Sequence, residues 1–284
     1  VGLIGYGYWG SKLARVLDQL GVLVAICDTN PEVKAALPKG TDFWSDLPSF
    51  YANSTLDRVV IATPPDTHYS LAAEALARGL GVFVEKPLAT TYQQAKQLED
   101  LARSKNLPLM VGHIYLHCPG IVNMPEPVGQ AHLYVQLLNP QGGASPSSGL
   151  FWAALPHAVS LALHFFPEWP RVVRVALTGE RLQIELTYFN GSRAFLDVGN
   201  NTGVRRRRAE LRVDGTRYRF DGVSPHSYRI VAGGHEAPCY GTTKAEPLLL
   251  ECVTFIHSDS VDPLGAKVVG VIEAIKAELG DEGK

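Results

Sequence analysis

Three glycines near the start of the chain, spaced as Gly5-x-Gly7-x-x-Gly10, lie between a short apolar segment and an amphipathic one. Val1–Ile4 has the character of a buried strand, and Ser11–Leu20 repeats apolar side chains at the spacing of a helix. In such a strand–turn–helix unit the first glycine makes the bend, the second lets the backbone approach a pyrophosphate, and the third lets the helix pack closely on the strand. Free N–H groups at the helix N-terminus attract the negative charge. The spacing therefore predicts a dinucleotide-binding turn.

An acidic residue follows at the distance that this kind of site requires. Val22–Ile26 is predicted as the second strand, and Asp28 comes just after it, about twenty residues beyond the glycines. A carboxylate at this position accepts hydrogen bonds from the adenosine ribose and repels a 2′-phosphate. NAD is therefore expected as the cofactor, and NADP is disfavoured by Asp28.

The composition excludes several classes of protein. The 284 residues, 46% hydrophobic and 19% charged, are enough for the cores of two domains and are not typical of a disordered chain. With 26 basic and 28 acidic residues the net charge is −2, so no overall field attracts nucleic acid or an anionic membrane. The four cysteines are scattered, which argues against a zinc site or a disulfide framework. Without a signal-peptide pattern or an apolar run of membrane-spanning length, a cytoplasmic location is expected.

Strand and helix patterns alternate through the first 112 residues, which predicts a doubly wound parallel (Rossmann) sheet. Asp66 and Thr67 are candidate N-caps for one helix, and Thr91 begins a capping-box pattern for the next. Ligands of such sheets lie beyond the carboxyl ends of the strands, where Thr63, Lys86 and His113 fall. We expect an NAD-binding domain over residues 1–118.

From about residue 130 the pattern changes. A strand is predicted over 131–138 and an apolar helix over 149–166, followed by alternating segments at 171–177, 181–189, 193–198, 206–213 and 216–221. Asn190-Gly191 and Asp214-Gly215 lie at two of the joins, and both dipeptides favour tight hairpin turns. Helices are predicted over 246–257 and 263–279. These patterns predict a second, α+β domain over residues 119–284, built on an open antiparallel sheet.

The motifs together resemble the Gfo/Idh/MocA oxidoreductase family over about residues 1–160. The matching residues are the glycine turn with Tyr8 and Trp9, Asp28, the run Ala62-Thr63-Pro64-Pro65-Asp66-Thr67-His68, and Glu85-Lys86-Pro87. Val111-Gly112-His113, with Pro119, and the segment from Trp152 through Pro156-His157 to Ser160 are most similar to members that act on nucleotide-linked sugars.

This resemblance implies NAD-dependent hydride transfer at a carbinol or keto carbon of a sugar, nucleotide-linked sugar or cyclic polyol. It implies a cofactor site formed by Gly5, Gly7, Tyr8, Trp9, Gly10, Asp28, Thr63, Pro64, His68, Glu85 and Lys86. It also implies substrate contacts from His113, Tyr115, His117 and Trp152. Because family members usually pair through the C-terminal sheet, a homodimer or homotetramer is expected.

Two residues, Lys86 and His157, are the candidates for catalysis, and the resemblance implies that both act at the reacting oxygen. A hydride leaves a carbinol carbon readily only as the hydroxyl loses its proton, so a base must lie within hydrogen-bond reach. An ammonium group stabilises the developing alkoxide, and a lysine suits this role because burial readily lowers its pKa.

The sequence departs from the family at the substrate site. Ala153 stands where an aspartate usually precedes the histidine, Ala158 replaces an acid that often follows it, and His117-Cys118 replaces Tyr-Asn. The connection 141–148 is short and lacks the arginine that would bind an acidic sugar. Two functions therefore stay open: a dehydrogenase or reductase, and a non-catalytic NAD(H)-binding sensor or partner protein. Tyr115 and His117 are candidates to replace the missing carboxylate.

Two other patterns favour less specific interpretations. His113, His117 and Cys118 lie on a strand-to-loop segment with no carboxylate beside them, so no metal site is predicted. The run 205–208, four consecutive arginines, falls on a predicted hairpin with acidic residues nearby. We interpret it as a solvated sheet face or a subunit interface, and we expect a small-molecule substrate with no nucleic-acid or membrane partner.

Overall fold

The computed structural model describes residues 1–140, 149–222, 224–241 and 243–281. The chain forms two compact units: unit 1 comprises Val1–Gly112 and Leu248–Ala266, and unit 2 comprises His113–Pro247 and Lys267–Lys284. A segment close to the C-terminus thus packs with the N-terminal sheet. The division into functional domains at residues 118 and 119 stays a prediction, and the connection 141–148 lies outside the described residues.

Unit 1 is built on a parallel sheet. Its strands are β1 (Gly2–Ile4), β2 (Ala25–Cys27), β3 (Asp42–Trp44), β4 (Arg58–Ile61), β5 (Gly81–Glu85) and β6 (Leu109–Gly112). Its main helices are α1 (Tyr8–Gln19), α2 (Leu47–Asn53), α3 (His68–Ala77) and α4 (Tyr92–Ser104). The strands are ordered β3-β2-β1-β4-β5-β6 and all pair in parallel, which confirms the predicted doubly wound sheet. The strand order reverses between β1 and β4, where such sheets bind their ligands.

The buried strands of this sheet explain why their sequences are almost continuously apolar. Val59, Val60 and Ile61 of β4 and Val82 and Val84 of β5 are all buried, as expected for a parallel sheet that is covered on both faces. Against this sheet, α1 contributes a single apolar stripe, which is why its pattern could be recognised in the sequence.

Local signals at the helix starts of unit 1 were predicted with mixed success. Thr91 caps α4 as predicted, since its hydroxyl accepts a hydrogen bond from the Gln94 N–H at 3.2 Å. Thr67, one of the two predicted candidates, is the N-cap residue of α3, but its hydroxyl does not cap the helix and instead donates to Pro64 O at 2.7 Å in the preceding 3-10 turn.

Unit 2 is built on a sheet of eight strands and several helices. The strands are β7 (Ala131–Leu138), β8 (Arg171–Thr178), β9 (Arg181–Thr187), β10 (Arg193–Gly199), β11 (Arg206–Val213), β12 (Thr216–Asp221), β13 (Ser227–Ala232) and β14 (His235–Tyr240). Its helices are α5 (Pro119–Val122), α6 (Gly149–Ala153), α7 (Leu155–Phe165) and nearly all of α9 (Gly265–Asp281). The remaining helix, α8 (Pro247–His257), belongs to unit 1 except for its first residue. No helix in the described ranges combines the length and apolar character needed to cross a membrane.

The sheet of unit 2 is ordered β14-β13-β12-β11-β7-β10-β9-β8 and is antiparallel except for one pair. The predicted antiparallel character is therefore correct with one exception, because β7 and β10 run parallel with Tyr134 opposite Phe195. The predicted turn at Asp214-Gly215 is confirmed, since both residues have positive φ, 46° and 75°, as a type I′ hairpin requires. The single helix predicted over 149–166 is divided by Ala154, and β13 and β14 were not predicted.

Candidate active site

The turn after β1 has the geometry for which glycine is needed. Gly5 has a φ of +93°, and a Cβ at Gly5 would lie 2.7 Å from Ala62 O. A Cβ at Gly10 would lie 2.1 Å from Gly5 O, so α1 contacts the turn as closely as its backbone allows. At Gly7, the N-cap of α1, a Cβ would meet nothing within 4 Å. Gly7 therefore leaves open space at the helix N-terminus, where a pyrophosphate would need it.

A cavity of about 480 Å³ lies at the carboxyl ends of β1, β2 and β4. This volume is within the usual range for small-molecule and cofactor sites. Five of the predicted cofactor residues line it, namely Gly5, Gly7, Asp28, Thr63 and Pro64. The cavity is also lined by residues that sequence reasoning missed, among them Thr29, Ser45, Asp46, Thr67 and Ser70.

The Asp28 carboxylate is oriented by the backbone around it. The Tyr6 N–H donates to Oδ2 at 2.6 Å, and the Asn30 N–H donates to Oδ1 at 2.8 Å. A carboxylate has about four acceptor positions, so Asp28 keeps acceptor capacity for ligand hydroxyls at the cavity it lines. A backbone-held carboxylate of this kind fits the ribose of a dinucleotide.

A second carboxylate, Asp46, lines the same cavity and caps α2 by accepting from the Ser49 N–H at 2.8 Å. Burial raises the pKa of the Cys27 thiol to about 11, with smaller contributions from Asp46 and Asp28, so both carboxylates are close to this thiol. The sequence did carry a signal for Asp46, because an N-cap residue followed by proline in the first turn marks a helix start.

The end of β5 carries a coupled acid and base. The Trp9 indole N–H donates to Glu85 Oε1, and the Lys86 backbone N–H donates to Oε2 at 3.3 Å. Burial raises the pKa of Glu85 to about 7, against opposing effects of Lys86 and Trp9. Burial also lowers the pKa of Lys86, and Glu85 opposes that effect. Glu85, which accepts a hydrogen bond from Trp9, therefore limits the fall in the pKa of Lys86.

Two other predicted cofactor residues have different surroundings. His68 is 1% exposed, and its ring lies between Pro87 O, 2.6 Å from Nδ1, and Thr63 O, 2.8 Å from Nε2. It is not among the described residues that line the cavity, and it joins the segment after Lys86 to the cavity wall at Thr63. Tyr8 is largely exposed in the first turn of α1, with Lys12 Nζ donating to its hydroxyl at 2.9 Å.

Unit 2 brings two of the predicted residues into direct contact. The rings of Tyr115 and His157 meet edge to face with their centroids 5.2 Å apart, and Tyr115 also meets Phe220 at 6.4 Å. Burial raises the pKa of Tyr115 to about 12, so its hydroxyl stays protonated at neutral pH and can donate a hydrogen bond.

The other predicted substrate residues of unit 2 differ in character. Burial and, to a smaller extent, His113 lower the pKa of His117 to about 4, so His117 is neutral at pH 7. His113 itself is 2% exposed. The ring face of Trp152 is covered by the ammonium of Lys276, 4.0 Å from the ring centroid.

The position of the missing aspartate, Ala153, is the last residue of α6, whereas His157 belongs to α7. Because the helix is broken at Ala154, the spacing of four residues does not place Ala153 and His157 on one continuous helical face. Tyr115 carries a polar hydroxyl, and its ring contacts the His157 ring. Within the described ranges, no group of His, Cys, Asp and Glu side chains is arranged to hold a metal ion.

The doubly wound sheet, the glycine turn and the cavity with its oriented carboxylate are the features of a Rossmann-type dinucleotide-binding fold. Residues 1–113 match the family model described as an oxidoreductase family with an NAD-binding Rossmann fold, Gfo/Idh/MocA. The match covers 113 of the 284 residues, so a likeness to this family is shown for the N-terminal part of the chain.

Curated relatives and solved structures are also similar to the chain. The uncharacterized oxidoreductase YdgJ of Escherichia coli is 31% identical over 188 residues, 58% of this chain and 53% of the relative. UDP-N-acetylglucosamine 3-dehydrogenase from Acidithiobacillus ferrooxidans has a similar structure, with a TM-score of 0.86, 21% identity, and coverage of 98% of this chain and 96% of that one. Levoglucosan dehydrogenase in complex with NADH and levoglucosan gives a TM-score of 0.86 at 18% identity, covering 99% and 96%.

The sequence matches cover only part of the curated relatives. The matches to three curated relatives span 36%, 22% and 53% of those proteins' lengths. The solved structures, at identities near 20%, establish a shared fold over almost the whole chain.

Proposed function

We propose that this protein is an NAD(H)-dependent dehydrogenase or reductase acting on the carbinol or keto carbon of a sugar, nucleotide-linked sugar or cyclic polyol. The observation that carries the proposal is Lys86, a lysine of lowered pKa at the carboxyl end of β5, in the same sheet as the glycine turn and its cavity. Relatives named as sugar dehydrogenases support this class of substrate.

NAD would be held by Gly5, Gly7 and Gly10 at its pyrophosphate and by Asp28 at its ribose, with Thr63 and Pro64 lining the cavity. When bound, its nicotinamide ring accepts or donates the hydride. Two carboxylates, Asp28 and Asp46, line this cavity and would repel a 2′-phosphate, which favours NAD over NADP. Trp9, His68 and Glu85 would act on the cofactor through neighbouring residues. Tyr8, which is exposed in the first turn of α1, would contact the cofactor directly.

Lys86 would stabilise negative charge on the reacting oxygen, and His157 would take the hydroxyl proton during oxidation and return it during reduction. Tyr115 would supply a hydrogen-bond donor beside His157, where relatives carry a carboxylate. His113, His117 and Trp152 would contact the substrate. His117 would do so as a neutral imidazole, because its pKa is lowered to about 4.

A second candidate is a non-catalytic NAD(H)-binding sensor or partner protein. The observation that favours it is Ala153, since loss of a proton-transfer carboxylate would remove turnover and leave the cofactor cavity intact.

The two candidates differ in turnover. We would follow NADH oxidation and NAD reduction with a panel of sugars, nucleotide-linked sugars, cyclic polyols and their keto forms, and measure NAD(H) binding by calorimetry. The enzyme predicts turnover of at least one compound that Lys86→Ala abolishes, while Lys39→Ala, an exposed control, keeps it. Tight binding of NAD(H) without turnover across the panel would favour the sensor. Absence of NAD(H) binding would contradict both.

We also propose that the protein self-associates through the sheet of unit 2. Tyr134 and Phe195 lie side by side on adjacent strands and are 40% and 36% exposed. Sedimentation of wild type and of Phe195→Asp tests this, with Phe189→Asp, at the fully exposed turn after β9, as control. A shift toward monomer only in Phe195→Asp is expected, and a monomeric wild type would contradict the proposal.

A further inference from the structure

A pocket of about 460 Å³ in unit 2 is lined by four consecutive arginines, Arg205–Arg208, together with Asp221 and Gly222. It lies where β11 begins and β12 ends, since Arg208 and Asp221 are cross-strand partners. We call it the arginine pocket. The backbone closes it tightly, because the Gly222 N–H donates to Arg207 O at 2.7 Å and a Cβ at Gly222 would lie 2.6 Å from the Arg207 Cβ.

The positive charge of the arginine pocket is largely uncompensated. Arg208 pairs with Asp221, with Nε 3.5 Å from Oδ2. Arg207 donates to Leu138 O and to Arg206 O, both at 2.8 Å, and to Asn139 Oδ1, so its hydrogen-bond partners are neutral oxygens. Arg206 donates to Arg205 O at 3.3 Å. Within the described part of the chain, the Arg205 guanidinium forms no hydrogen bond or ion pair.

Several other arginines of the same sheet form ion pairs. Five of them pair with carboxylates: Arg181 with Asp197, Arg193 with Glu185, Arg212 and Arg219 with Glu210, and Arg229 with Glu236. Guanidinium groups gathered in one concave site repel each other more than the same groups dispersed over a surface. A polyanion bound in the pocket would relieve that repulsion.

The chemistry of the pocket matches a phosphate-bearing ligand. Guanidinium groups present planar pairs of N–H donors that bind phosphate oxygens bidentately. A diphosphate carries two or more negative charges on neighbouring phosphates. It could therefore contact several of the arginines that line this pocket at the same time. A duplex nucleic acid would instead need a continuous basic surface. The acidic Glu210 follows the arginines in β11, and the whole chain has a net charge of −2, so a diphosphate is the better match.

One side of the arginine pocket lies on the face of the sheet that carries the Tyr115 and His157 contact. Tyr115 packs on Phe220, and Phe220 is the cross-strand partner of Ala209. Because side chains alternate along a strand, Arg207 lies on the same face as Ala209, whereas Arg208 and Asp221 point to the opposite face. Arg207 and Arg205 are close enough to act on the pKa of Tyr115, which burial raises to about 12 and which these two arginines lower. A ligand with its anionic group among the arginines could therefore reach the Tyr115 and His157 rings.

We propose that the arginine pocket binds the diphosphate group of the substrate, which would make the substrate a nucleoside-diphosphate-linked sugar. The identity of this ligand as the substrate rests on the proposed function, whereas the binding of diphosphate by Arg205 and Arg206 does not.

The test is calorimetric titration of the full chain with inorganic pyrophosphate and with UDP, in the presence and absence of NADH. Arg205→Gln with Arg206→Gln should weaken both by about tenfold or more, since each loss removes a charged donor. The matched control is Arg171→Ala with Arg174→Ala, which removes the same charge from exposed positions of β8, four strands away from β11. It should change either affinity by less than about twofold.

Each outcome has a defined meaning. No binding of either probe by the wild type, or equal losses in the two double variants, would overturn the proposal. Tighter binding of a DNA duplex than of pyrophosphate, lost in the Arg205 and Arg206 variant, would overturn it in favour of a nucleic-acid surface. NADH titrations of the same variants separate the two proposals, because diphosphate binding without NADH binding would contradict only the proposed function. Thermal unfolding of each variant shows that it is folded.

Discussion

The indole N–H of Trp9 donates a hydrogen bond to the Glu85 carboxylate. Trp9 lies in the first turn of α1 and Glu85 ends β5, so this bond joins the helix after the glycine turn to the strand that precedes Lys86. Burial raises the pKa of Glu85 to about 7, and the bond from Trp9 opposes that rise. The Glu85 carboxyl therefore links α1, at the proposed cofactor site, to the end of β5, where Lys86 follows, and it titrates near neutral pH.

We predict that tryptophan emission titrates with a midpoint near the pKa of Glu85, about 7. Ionisation of the carboxylate changes the field at the indole that donates to it. Fluorescence recorded from pH 5 to 9 should lose this transition in both Trp9→Phe and Glu85→Gln. Trp169→Phe, which removes an exposed indole, should keep it. A transition that persists in Glu85→Gln would show that another group titrates.

Much of unit 1 could be predicted because its information is local. Continuous apolar runs such as β4 mark strands buried on both faces, and the glycine turn and Asp28 are identified by spacing alone. In contrast, β3 has three residues and is partly exposed, too short for a periodic pattern. The α2 cap Asp46 was missed with it. The return of 248–266 to unit 1 depends on contacts distant in sequence, which no local pattern reports.

The candidate site shows the same division. Lys86 could be named from its motif, but the hydrogen bond from Trp9 to its neighbour Glu85 joins residues 76 positions apart in the chain. A single helix was predicted over 149–166, and the break at Ala154, which separates Ala153 from His157, could not be read from the sequence. The proximity of Tyr115 to His157 likewise arises from tertiary packing. The four consecutive arginines could be recognised in the sequence as a basic segment. The pocket that they form with Asp221 and Gly222 could not be predicted, because it depends on strand pairing.

We predict that Asp28→Ser changes cofactor preference. Removal of the carboxylate takes away the ribose acceptor and one of two negative charges lining the cavity. NADH affinity should fall by about tenfold, about 1.4 kcal/mol, while the ratio of NADPH to NADH affinity rises. Fluorescence titration with both cofactors measures this, and Asp42→Ser, an exposed position of β3, is the control. Unchanged NADH affinity would contradict the ribose assignment.

A buried carboxyl in α8 should make stability depend on pH. Glu251 is fully buried, its oxygens have no hydrogen-bond partner among the described residues, and burial, with Glu85 and Asp262, raises its pKa well above 4.5. The folded protein thus keeps this proton to higher pH than the unfolded chain does. The stability from Glu251 is complete below the unfolded pKa and declines as pH rises toward the folded pKa.

We therefore predict that Glu251→Gln flattens the fall in unfolding free energy between about pH 5 and 8, by an amount on the order of 1 kcal/mol. Urea denaturation at several pH values measures it, with Glu32→Gln, an exposed carboxylate, as control. A pH profile of Glu251→Gln that parallels the wild type would mean that Glu251 is ionised or solvated in the folded protein.

Alanine substitutions at two glycines of the same turn should separate folding from binding. At Gly10 the added Cβ would lie 2.1 Å from Gly5 O, a backbone atom that cannot move without displacing the turn. Gly10→Ala should lower the unfolding free energy by about 1–3 kcal/mol. At Gly7 the Cβ meets nothing within 4 Å and φ is −69°, which alanine adopts without strain. Gly7→Ala should therefore leave stability unchanged or raise it by about 0.4–1 kcal/mol.

The same Gly7→Ala variant should bind NADH about tenfold more weakly or worse, because its methyl group occupies the space that the pyrophosphate needs at the N-terminus of α1. Chemical denaturation and calorimetric NADH titration, run on Gly7→Ala and Gly10→Ala together, separate the two effects. Loss of stability in Gly7→Ala would mean that the turn is packed more tightly than the structure has it. Wild-type NADH affinity in a stable Gly7→Ala variant would mean that the pyrophosphate binds elsewhere, because a pyrophosphate in contact with Gly7 would clash with the added methyl group.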